Sequence, residues 1–198
     1  MVASVWRRGR LTKPFRVLAV YVWVGILFDI VALVLMKSKI STAYSNNAYT
    51  VFQFGMLSWV FYFINAQATM RQMVLSVSGL VLVFTLYNWF FFQGMHVRNS
   101  YSYASTALAL LFFSLVTLRN MAQNPSLEAI QYNPAFLLST GVLVYFGGNF
   151  FLFLFDHMAD ATVKLQFPFY FLHHPLRIVL NSLYFAAILC LPTRSSTY

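Results

Sequence analysis

Apolar residues along this chain fall in long unbroken runs rather than in alternation with polar ones. A helix that is apolar all round is buried or lies in a membrane, and about 20 such residues span a bilayer. A transmembrane β-barrel would instead alternate every second residue. Six runs are separable, at about 14–36, 48–66, 70–93, 102–118, 134–155 and 167–192. The polar stretch Lys37–Asn47 reads as the first loop. The connection Gln67–Thr69 is so short that the second and third runs must form an antiparallel hairpin. Gly94–Asn99 is a third break. Within Arg119–Asn133, Asn124-Pro125 followed by Glu128 predicts one short surface helix. Asn133-Pro134 repeats that N-cap and first-turn proline signal and opens the fifth run, as Pro14 suits the first. The expectation is an all-α polytopic membrane protein: one transmembrane domain of six helices over 14–192, a basic tail 1–13 and a short tail 193–198.

Composition strengthens this reading. Of 198 residues 60% are hydrophobic and only 9% charged, against about 25% charged in soluble domains. The net charge of +9 does not imply nucleic acid. Five basic residues, Arg7, Arg8, Arg10, Lys13 and Arg16, precede or open the first run, where they suit anionic lipid headgroups. With the N-terminus inside, Lys and Arg in tails and loops divide eight to four in favour of that side. Both termini are therefore expected in the cytoplasm, with the chain in a bacterial inner membrane. The first run is too long for a signal-peptide core. The lone Cys190 permits no intrachain disulfide and no cysteine zinc motif.

Polar residues inside the runs carry the candidate chemistry. At 1.5 Å rise per residue, Asp29 and Asn149 lie roughly 10 Å below the outer surface, Gln53 and Asn88 roughly 7 Å, His173 and His174 roughly 8 Å, and Arg177 roughly 13 Å. Asn181 continues a stripe with His173 and Arg177 at four-residue spacing. The inner halves are nearly pure Leu, Val, Phe and Ala. A polar cup or buried network near the outer face follows, and it admits a purely structural reading, in which polar groups only join helices, or a ligand site. Asp29 and Arg177 have opposite sign at nearly matched depth, with Asp156 and Asp160 as rival counter-charges. Pro175 predicts a kink in the last helix, freeing the Phe171 carbonyl. Gly141, Gly147 and Gly148 predict close helix packing.

Catalytic motifs are missing from the sequence. It holds no HExxH, no G-x-S-x-G and no Gly-rich phosphate loop, and no run contains a lysine for a Schiff base. Adjacent His173 and His174 point about 100° apart on a helix, a poor pair for one ion. No metal and no cofactor is expected. The favoured function is a non-enzymatic sensor or accessory subunit working in the lipid bilayer. The alternatives are a small transporter or channel, which could be oligomeric, and a membrane enzyme that depends on His173 or His174.

The pieces NNAYTVFQF (46–54), NPAFLLSTGVLVYFGGNFFLF (133–153) and LHHPLRIVLNSLYFAAIL (172–189) resemble an uncharacterised family of small multi-pass inner-membrane proteins common in Bacteroidetes. The matching residues are Asn47, Tyr49, Phe54, Ser139, Gly141, Tyr145, Gly148, Asn149, His173, Asn181 and Tyr184. The chain departs from the family pattern at Gln53, where a glutamate is expected, at Leu137, where a tryptophan is, and at Arg177, where a neutral polar residue is. The resemblance implies no defined activity. It implies as partner another membrane protein, such as a sensor kinase, or a second copy of the chain.

Overall fold

The computed structural model of the chain describes residues 12–97, 99–123, 130–159 and 166–190. Residues 1–11 of the basic tail, the whole of the tail 193–198, the Asn124–Glu128 helix signal and Asp160 lie outside the described residues, as do the side chains of Asp156 and His157. Lys13, counted with the tail in the sequence, opens the first helix instead. Every regular element among the described residues is helical: α1 (Lys13–Lys37), α2 (Ala43–Ile64), α3 (Ala68–Tyr87) continued by a π-helical turn Asn88–Phe92, α4 (Ser100–Gln123), a 3₁₀ turn Ile130–Tyr132, α5 (Pro134–Ala159) and α6 (Gln166–Leu189).

Among the described residues three of these, α1, α3 with its π turn, and α4, are long and apolar enough to cross a membrane, and the sequence of α5 is apolar from Pro134 to Phe155 apart from a few small or polar residues. α2 loses apolar length to Asn46, Asn47, Thr50 and Gln53, and α6 to His173, His174, Arg177 and Asn181. Large apolar side chains such as Leu27, Val31, Leu80, Val83, Leu108 and Ile178 point outward. That is the pattern of helices solvated by lipid rather than water.

Local signals explain two of the helix starts. Pro14 sits in the first turn of α1, after Thr12 at the N-cap. Asn133 Oδ1 accepts from the backbone N–H of Ala135 at 2.9 Å and of Phe136 at 3.4 Å, capping α5 as its sequence suggests. The start of α2 differs from expectation. The helix begins at Ala43 rather than near Ala48, so Ser45, Asn46 and Asn47 are its first turns and not a loop. Asn47 explains this. It is buried, and its Nδ2 donates to the carbonyls of Met95 (3.2 Å) and Val97 (3.0 Å), clipping the α3–α4 loop onto α2.

The core brings together Leu18, Phe54, Leu57, Phe61, Leu110 and Phe113 with Leu138 and Val142. α5 packs along both α4 and α6, α2 along α1, α3 and α4, and α3 along α4. Close packing of α5 comes from glycine. A Cβ on Gly148 would stand 2.5 Å from Leu176 Cδ1, and one on Gly141 3.2 Å from Leu183 Cβ, both on α6, while Gly147 faces Leu111 of α4. Hydroxyls join α4 to α5, where Ser114 Oγ donates to the Ser139 carbonyl. At the end of the bundle holding the α2–α3 turn, Asn65 Nδ2 donates to Thr117 Oγ1 at 3.2 Å and Arg71 Nε to the Asn65 carbonyl at 2.9 Å. By contrast, α1 and α6 are not among the extensively packed pairs.

Candidate functional site: a polar slot between α1 and α6

Where α1 and α6 fail to pack, they enclose a cleft of about 830 Å³, within the 300–1,000 Å³ typical of small-molecule sites. Residues of α1, α2, α4, α5 and α6 line it. Along α1 it runs from Tyr21 to Met36, and along α6 from His173 to Ile188. Each stretch is about 22 Å at helical rise. The cleft is therefore a slot, long and narrow.

Two rungs cross the slot between antiparallel helices. At the first, Arg177 Nη2 donates to Asp29 Oδ1 at 2.7 Å and Oδ2 at 2.5 Å. The two side chains keep 33% and 49% of their surface exposed, so the pair sits on the wall rather than in the core. At the second, the Tyr21 and Tyr184 rings meet edge to face at 6.0 Å. The rungs stand about 11 Å apart at helical rise. Between them α1 has Gly25, where a Cβ would meet nothing closer than Tyr49 Oη at 3.4 Å, and α6 has Leu180 and Asn181. A residue without a side chain thus leaves the middle of the slot open.

Hydrogen bonds fix the walls. Tyr21 and Tyr49 share one at 3.3 Å, and Gln53 Nε2 donates to Tyr21 Oη at 2.8 Å, joining α1 to α2. On the other wall, His173 Nδ1 donates to Asn149 Oδ1 at 3.0 Å, and Asn149 Nδ2 to the Tyr145 carbonyl at 2.7 Å. Asn149 is fully buried, so it orients His173 from behind. The Tyr184 hydroxyl is buried and meets no hydrogen-bond partner among the described groups.

Of the polar residues grouped by depth, Asp29, Gln53, His173, His174, Arg177 and Asn181 line the slot, and Asn149 supports it. Asn88 does not belong with them. It is buried against α4, where its Nδ2 donates to Ser102 Oγ and Gln93 Oε1, each at 3.0 Å. Its depth along the helix matches but its direction around the helix does not. Five tyrosines also line the slot, Tyr21, Tyr49, Tyr103, Tyr145 and Tyr184, and of these Tyr21 and Tyr103 carry no signal in the sequence. The motif residues Tyr49, Tyr145, His173, Asn181 and Tyr184 all converge here. Among the described residues no three of His, Cys, Asp and Glu gather where they could hold a metal ion.

No protein-family model, no curated protein and no solved structure matches the chain.

Proposed function

We propose that this chain is a six-span protein of a bacterial inner membrane, with both termini cytoplasmic and the Asp29–Arg177 end of the slot toward the outer face. It acts as a sensor or accessory subunit that reports occupancy of the slot to a membrane partner. The observation that carries this reading is the slot itself: five helices contribute to it, yet α1 and α6 are held together across it by side chains rather than by packing. Such a seam can open or close at small cost, which is what a signalling element needs. The kink expected at Pro175, two residues before Arg177, gives α6 a bending point at the same level. The eight-to-four division of Lys and Arg supports the orientation.

Affinity purification of the full chain from its own membranes tests the reading. A sensor or accessory subunit retains a stoichiometric membrane protein, and Arg177→Ala changes how much of it is retained. A chain that purifies alone and passes ions or solutes across reconstituted liposomes is a transporter, and that result overturns the proposal.

A further inference from the structure

The slot also carries information about what it holds. Its charged lining side chains, Asp29 and Arg177, are already paired with each other. Only Nη2 of the guanidinium serves that pair, and Nε and Nη1 donate to no acceptor among the described residues. Arginine offers five N–H donors in a rigid fork, so three N–H bonds remain at a half-exposed position on the wall. A second, uncompensated charge is disfavoured at a site lined largely by apolar side chains. The slot therefore favours a ligand that brings acceptors without bringing charge. Its shape narrows the choice again. Spread over its length, 830 Å³ averages about 40 Å² in cross-section, which suits one elongated molecule. Val22, Ile26, Leu33, Leu180, Phe185 and Ile188 supply apolar walls along it.

We infer that the slot takes a single elongated lipid-soluble molecule lying between α1 and α6, with a neutral carbonyl oxygen accepting from the free N–H groups of Arg177. This rests on the slot being a ligand site. The shared chemistry is a carbonyl on an apolar body, which a quinone and a glycerolipid ester both offer.

Equilibrium binding to the full chain in lipid nanodiscs tests it with three probes: a decyl-tailed 1,4-benzoquinone, monoolein and palmitate. At least one neutral carbonyl probe is expected to bind one per chain, on the order of tenfold tighter than palmitate. Binding by the quinone alone assigns a quinone-type ligand, and binding by monoolein alone a bilayer ester. Arg177→Lys keeps the charge pair but loses the fork, so it should leave the thermal midpoint near wild type and weaken binding by about tenfold. Gly25→Leu, which fills the middle of the slot beside Tyr49 and leaves Asp29 and Arg177 in place, should abolish binding. Palmitate binding as tightly as the neutral probes, or full binding by both variants, overturns the inference. If no probe binds while partner retention still responds to Arg177→Ala, the ligand class falls and the sensor reading stands. Solute flux with intact probe binding removes the sensor reading and leaves the occupant.

Discussion

The two faces of α6 meet their neighbours in opposite ways. Toward α5, Leu176 and Leu183 press on Gly148 and Gly141, and the helices come close enough that a methyl group on either glycine would crowd them. Toward α1, Arg177 and Tyr184 reach across a slot to Asp29 and Tyr21, with glycine opposite neither. Small residues opposite large ones allow the first seam to close along its length. Large side chains facing each other hold the second apart, while Gly25 sits between the rungs and leaves the gap unfilled. Association of helices in lipid depends on packing and polar contacts, because the hydrophobic effect does not drive it. The α5–α6 seam therefore reads as a fixed support, and the α1–α6 seam as the one with freedom to respond.

Substitutions can break this contrast or sharpen it. Gly148→Leu should have the largest effect, because Leu176 already occupies the space a side chain needs. A loss of about 3 kcal/mol is expected for such overpacking, read as a fall in the unfolding midpoint in detergent. An unchanged midpoint would mean that this seam is as loose as the other.

Next come Asp29→Ala and Arg177→Ala. Each leaves one charge of the rung unpaired, and with both groups partly exposed each should cost about 1–2 kcal/mol. The double variant should cost less than the sum of the two, since no unpaired charge remains. Strict additivity in that cycle would count against a working contact.

The smallest effect has the opposite sign. Tyr184→Phe removes a buried hydroxyl that meets no partner among the described groups, so the empty protein should be unchanged or more stable by up to about 1 kcal/mol. Destabilisation in the same melting assay would show that the hydroxyl is satisfied after all.

Much of the molecule is legible in the amino-acid sequence because bilayer thickness acts on one coordinate, the length of an apolar run. That constraint reveals the helices, the tight α2–α3 turn, the Asn133 cap and the depth of each polar group along its helix. It also brings Asp29 and Arg177 to one level. It says nothing about direction around the helix axis. Asn88 shares the depth of the cluster yet turns toward Ser102. Tyr21 and Tyr184 resemble any interfacial tyrosine until their rings meet across the slot. The first turns of α2 look like loop, because the carbonyls that satisfy Asn47 belong to residues 48 and 50 positions further along the chain. By itself, then, the sequence determined an all-helical membrane chain, its polar level and the two charges most in need of each other. Only the tertiary structure decided that α5 and α6 close on glycine while α1 and α6 do not. That outcome depends on which side chains face each other between helices, and no single helix carries that information.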